Sequence, residues 1–222
     1  MTPRTHRAKA KAEISRRSFL KISCGFTGTA VCLPIIAAGA DARPSGPEQG
    51  PNILGPRAPF SPQVGTLVSM LNWMRASILQ PVQGFTVAQL DHLHDEKANS
   101  IGALLLHLAA IERLYQIQTF EGKKWGDVDS ETERQWGAPA RLGKEARKSI
   151  KGHELAYYLD KLKEVRARTL AELEKRDDAW LMQVNSDSAG GPTNNYCKWF
   201  HVCEHESHHN GQITWLKSRL PG

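Results

Sequence analysis

His-Val-Cys-Glu-His-Glu-Ser-His-His-Asn-Gly-Gln-Ile, residues 201–213, gathers four of the chain's nine histidines close to the end of a 222-residue sequence. At about 100° per residue, a helix brings His201, His205, His209 and Gln212 onto one face, leaves His208 at its edge and turns Cys203 almost to the opposite side. Two imidazoles four residues apart reach one divalent ion from successive turns, so His205 and His209 are the first candidate ligands. Two nitrogens do not make a stable site, and a third has to come from another element.

That third candidate is His107, in Ser-Ile-Gly-Ala-Leu-Leu-Leu-His-Leu-Ala-Ala-Ile-Glu-Arg-Leu-Tyr, residues 100–115. On a helical wheel His107 shares a face with Ala103, Leu104, Ile111 and Leu114 and points into a core. By itself such a histidine reads as a hydrogen-bonded core residue. Helices that bury both faces would bring it towards His205 and His209, and bundle interiors are where helices assemble metal sites.

Four segments carry helical periodicity. Val64, Leu67, Val68, Leu71, Met74, Ile78 and Leu79 form the first, ended by Pro81 and Gly84. Residues 99–120 form the second, residues 153–175 the third, and residues 194–218 the fourth, capped by Asn194 or Asn195. No stretch alternates with the period of a half-buried strand. The expected fold is all-α, a four-helix bundle with a long crossover between helices 2 and 3. That connection, residues 121–152, exceeds what a helical hairpin needs, so it can cross the bundle and make its flanking helices parallel neighbours, or serve as a lid. Its charged run 141–151 reads as solvated surface, and Cys197 and Cys203 read as small buried residues on different faces, not a disulfide pair.

The formal charge of +6 resides entirely in the first forty residues, with seven Lys or Arg against Glu13; residues 41–222 hold 22 basic and 22 acidic groups. A nucleic-acid-binding domain normally keeps a net basic surface, so no nucleic-acid partner is expected. Ser15-Arg-Arg-Ser-Phe-Leu-Lys21, followed by a weakly apolar stretch to Ala40, resembles a twin-arginine export signal. Residues 1–40 are therefore expected to be a signal peptide cleaved after Ala38-Gly39-Ala40, carrying Cys24 and Cys32 away with it. An uncleaved anchor is the rival reading, which Gly25, Gly28, Thr29 and Pro34 argue against. Residues 41–62, rich in Pro and Gly, read as a linker, and residues 63–222 as one domain. The implied location is periplasmic, with the export machinery as a partner, no stable membrane span after cleavage, and a homodimer left open.

Residues 100–112 and 205–213, in that order and on the second and fourth helices, resemble the DinB-like superfamily, which includes metal-dependent thiol transferases. The resemblance covers about residues 63–222. In that family a histidine of the second helix and the first and last histidines of the terminal His-x-x-x-His hold a divalent metal inside a four-helix bundle. Carried to this chain, it implies His107, His205 and His209 as metal ligands, with zinc the first expectation and nickel, iron or manganese as alternatives. It also implies a metal-dependent transferase or hydrolase acting on a small molecule. Glu206 is the candidate catalytic carboxylate and Glu112 a companion behind the ligands; the plainer reading of both is surface carboxylate. His201 is a reserve ligand or pocket wall.

Two other functions fit the same letters. A non-catalytic metal-binding or stress-related bundle would use the histidines for storage, sensing or stability. His205-Glu-Ser-His-His209 also spells the His-Glu-x-x-His of zinc peptidases, but only thirteen residues follow His209, none of them His, Glu or Asp, so a downstream third ligand is impossible.

Overall fold

Most helix starts among the described residues are set by short polar side chains that accept the N–H groups no helical carbonyl can reach. In the computed structural model, which describes residues 50, 52–186 and 191–221, Ser100 accepts from Ala103 N and Asn194 from Cys197 N, opening α3 (Ile101–Phe120) and α8 (Asn195–Lys217). At the start of α1 (Pro62–Leu79) the cap is tertiary: Asp178 Oδ1 accepts from Ser61 Oγ and from the backbone N–H groups of Gln63 and Val64. Proline at the first position of α1 has no N–H to satisfy. With α6 (Leu155–Leu173), these are the four long helices that the periodicity indicates. The expected export signal and residues 41–49 and 51 of the Pro/Gly-rich linker lie outside the described residues.

Cross-helix contacts give the topology. Glu112 meets Arg166, and Gln116 donates to Val165 O and Thr169 Oγ1, so α3 and α6 run parallel. Arg75 meets Glu206, and Asn210 donates to Ser77, so α1 and α8 run parallel as well. Tyr115 pairs with His201 and His107 with His205, which sets α3 against α8. The bundle is therefore up-down-down-up, and the long connection does cross it between parallel neighbours. It carries α4 (Ser130–Arg141) and α5 (Gly143–Ser149), packed through Trp136, Ala146 and Ile150. Short α2 (Val87–Asp91) follows α1, and α7 (Asp178–Met182) precedes a two-residue antiparallel pairing of β1 (Val184–Asn185) with β2 (Thr193–Asn194).

The core has two apolar halves. One contains Ile78, Leu104, Leu105, Leu108, Tyr158, Leu162 and Ile213; the other contains Leu67, Leu71, Leu173, Trp199 and Val202. Between the positions each long helix gives to the two halves lies one charged residue: Arg75 on α1, Glu112 on α3, Arg166 on α6 and Glu206 on α8. Glu112 accepts from Arg166 Nε at 2.7 Å, Arg75 Nη2 at 2.7 Å and Thr169 Oγ1 at 2.6 Å. Glu206 Oε1 accepts from Arg166 Nη2 at 2.8 Å and from Arg75 Nε at 3.0 Å. The guanidiniums also bridge α1 and α6, Arg75 Nη1 donating to Leu162 O and Arg166 Nη1 to Leu71 O. Two positive and two negative groups thus form a neutral buried layer. The two guanidiniums outweigh burial and hold Glu112 down to about 2.

The layer corrects the reading of Glu112 and Glu206 as surface carboxylates: they are 0% and 1% exposed. Charged residues are buried when paired, and here the partners come from the first and third helices. Cys203 is buried as expected, whereas Cys197 is exposed, because the first turn of α8 faces a surface cleft rather than the core. Both are free thiols.

Close approach of α3 to α6 depends on Gly102. A Cβ there would lie 2.7 Å from Cζ and Oη of Tyr158, whose side chain is fully buried. Gly102→Ala is expected to cost roughly 1–3 kcal/mol through overpacking and to lower the melting temperature by several degrees. An unchanged thermal melt would show that the Tyr158 ring yields.

Candidate metal centre

His107 projects from the middle of α3 and His205 and His209 from successive turns of α8, the antiparallel neighbour. His205 Nε2 lies 3.1 Å from His107 Nε2 and 3.0 Å from His209 Nε2. The three donor atoms all fall within 4.8 Å of one another. A tetrahedral ion with metal–nitrogen bonds of about 2.05 Å has nitrogen–nitrogen edges of about 3.3 Å, so the spacing fits one divalent cation.

Tautomers are fixed from behind. His107 Nδ1 lies 2.9 Å from Pro139 O, and a carbonyl can only accept, so Nδ1 carries the proton and Nε2 presents its lone pair to the centre. Pro139 is near the end of α4, where carbonyls lack helical partners. The N–H of Gly143, four residues on, donates instead to Asn99. His209 Nδ1 donates to Gln212 Oε1 at 3.0 Å, while the Gln212 amide nitrogen reaches His208 Nε2 at 2.9 Å. Such outer hydrogen bonds orient metal-binding imidazoles and raise their basicity.

Burial, and then the neighbouring imidazoles, press His205 down to about 3. Burial followed by His107 takes His209 to about 4 against the opposing Gln212 bond. Burial also lowers His107, partly offset by the Pro139 and Ala140 carbonyls. Near neutral pH all three rings are therefore neutral and free to ligate. In the unfolded chain these histidines take up protons near pH 6.5. The unfolded state then binds more protons than the folded one between about pH 6.5 and 4, and the metal-free protein loses stability as pH falls through that window. The urea midpoint of metal-free protein is expected to be lower at pH 5 than at pH 7.5; equal midpoints would contradict the depressed values.

Other sequence candidates lie around this centre. His201 is exposed and pairs through Nδ1 with the Tyr115 hydroxyl at 2.9 Å, its ring centroid 5.7 Å from that of His205. His208 stands at the exposed edge. Glu206 belongs to the charged layer, with Oε1 committed to two guanidiniums and Oε2 buried without a hydrogen-bond partner among the described residues. Sequence reasoning did not find Pro139, Gln212 as the anchor of His209, or Arg75 and Arg166. An arginine on each apolar stripe, Leu71-Arg75-Ile78 and Leu162-Arg166-Thr169, was the available signal for the layer.

A four-helix bundle with an up-down-down-up course and three inward imidazoles, one from the second long helix and two from the last, defines a DinB-like protein. Residues 66–222 match the family described as mycothiol-S-transferase. The chain belongs to that family, within the DinB-like superfamily. No curated protein matches it. Among solved structures, a conserved protein of Enterococcus faecalis superposes with a TM-score of 0.53 at 19% identity, covering 68% of this chain and 92% of its own. An uncharacterised protein of Clostridium difficile 630 gives 0.56 at 15%, covering 71% and 97%. The colibactin self-resistance protein ClbS, solved in complex with double-stranded DNA, gives 0.52 at 18%, covering 74% and 100%. These likenesses establish the fold.

Proposed function

We propose that this protein is an exported, metal-dependent transferase or hydrolase of small molecules, with His107, His205 and His209 as ligands of one divalent cation, zinc foremost. The observation that carries the reading is the convergence of three Nε2 atoms whose rings, at His107 and His209, are locked from behind by oxygen acceptors. Three protein ligands leave a coordination position open, which suits catalysis better than a closed structural site. A divalent ion so held supplies Lewis acidity, enough to generate a nucleophile from a thiol or water near neutral pH. The chain's own contribution is to keep the imidazoles neutral, fix their lone pairs and shield the centre within the bundle. The family description favours thiol transfer.

Glu206, buried between two guanidiniums, is better suited to counter-ion than to proton carrier, and this weighs against the peptidase reading as well. The balanced charge of residues 41–222 supports a small-molecule substrate over nucleic acid. The Ser15–Lys21 sequence supports export to the periplasm; among the described residues no helix is long and apolar enough to cross a membrane.

Metal analysis of the natively exported protein, followed by thiol transfer to monobromobimane from cysteine, N-acetylcysteine and glutathione, tests this reading. Metal-loaded protein is expected to accelerate at least one transfer, and chelation to abolish the acceleration. A loaded protein without exchangeable water at its ion, inert towards every thiol, would establish a non-catalytic metal-binding bundle instead.

A further inference from the structure

Lys198 lies on α8 three residues before His201 and seven before His205, so the three side chains follow one line along the helix. It is 7% exposed, and no described residue offers it a carboxylate, carbonyl or hydroxyl partner. Burial alone pushes its pKa down. A lysine whose side chain is mostly packed, with no acidic partner among the described residues, is suited to a ligand of opposite charge reaching it from the cleft it lines.

The surroundings supply a place for one. Lys198 lines a cleft of about 1020 Å³ together with Tyr115, Trp125, Trp180, His201 and residues of β1 and β2. Lys123 and Lys124 stand at its edge, and no carboxylate is among its described lining residues. Tyr115 and Trp125 are in ring contact, centroids 4.9 Å apart. His201 also lines the cleft, and its ring centroid lies 5.7 Å from that of His205. Cation and flat apolar walls thus occur together, one to two helical turns from the candidate metal centre.

We propose that this cleft binds a small organic anion with a flat apolar body, Lys198 pairing with its carboxylate, sulfonate or phosphate group while Tyr115, Trp125 and Trp180 flank the body. Together with the metal-centre reading on which its role as a substrate site rests, the site sets the reach of the substrate. Seven residues of helix separate Lys198 from His205, so the acidic group sits about 10 Å along α8 from the reacting end. Binding itself requires only the cleft and can be measured with or without metal.

The probe is 8-anilinonaphthalene-1-sulfonate, with uncharged N-phenyl-1-naphthylamine as its partner, titrated into the full chain before and after zinc loading. Lys198→Met is expected to weaken the sulfonate roughly tenfold or more, the scale of one charge-assisted hydrogen bond, and to leave the neutral probe within a few-fold. Lys198→Arg is expected to retain sulfonate binding. Lys198→Gln replaces the methionine variant should that one not fold. Sulfonate binding to the charge-free variant as tight as to the parent, or an equal loss of both probes, would overturn the anion site. Zinc content measured on the same samples separates the two readings: a parent that takes up no zinc sinks the metal centre and leaves the anion site standing.

Discussion

His205→Ala is expected to strip the protein of its divalent metal. His205 Nε2 lies between those of His107 and His209, so its loss leaves two imidazoles from different helices and no third nitrogen to close the set. The affinity loss should exceed the roughly 10–100-fold that follows removal of an outer hydrogen-bond partner. Gln212→Leu provides that smaller step, because it frees the His209 ring without deleting a ligand. His201→Ala should leave metal content unchanged, since that ring is engaged with Tyr115 at the surface. Elemental analysis after dialysis against a weak chelator reads all three. Full metal occupancy in His205→Ala would sink the three-histidine site.

The second large effect concerns the charged layer. Glu112→Ala leaves two guanidiniums to share the single Glu206 carboxylate, one positive charge uncompensated in the core, and is expected to cost about 3–5 kcal/mol, read as a lowered urea midpoint. Glu112→Leu combined with Arg166→Met removes one charge of each sign and leaves the Arg75–Glu206 pair in place, so it should recover most of that loss. The comparison separates the penalty of an orphaned charge from the net worth of the pair. A Glu112→Ala variant within about 1 kcal/mol of the parent would mean that water reaches the layer.

The four long helices were legible because their apolar stripes are sustained, and two of them open on Ser100 and Asn194, residues whose side chains compete for backbone N–H groups. The crossover was legible from length alone. The helices inside it were not: α4 has a capping Asp129 but contains Gly137 and Pro139 and is mostly polar, which weakens its apolar stripe, and Trp136 packs it into the core. Among the site residues, His205 and His209 follow from helix geometry, and His107 from its place on an apolar face. Pro139 could not have been read, since it acts through a backbone carbonyl whose neighbour is decided by the tertiary fold. Lys198 was equally hidden, because a lysine in a helix looks like solvated surface until the fold packs its side chain along a cleft.

The parallel course of α1 and α8 has a consequence for engineering. Pro62 and Lys217 stand at opposite ends of the bundle, separated by the length of a 23-residue helix, about 35 Å. A circular permutant that joins these ends with a short loop cannot close without reversing one helix. Spanning the gap takes at least ten or so extended residues, roughly 3.3–3.6 Å each. New termini are better opened near Gly122 or Gly126, in the exposed start of the crossover, than between the helices that carry the imidazoles.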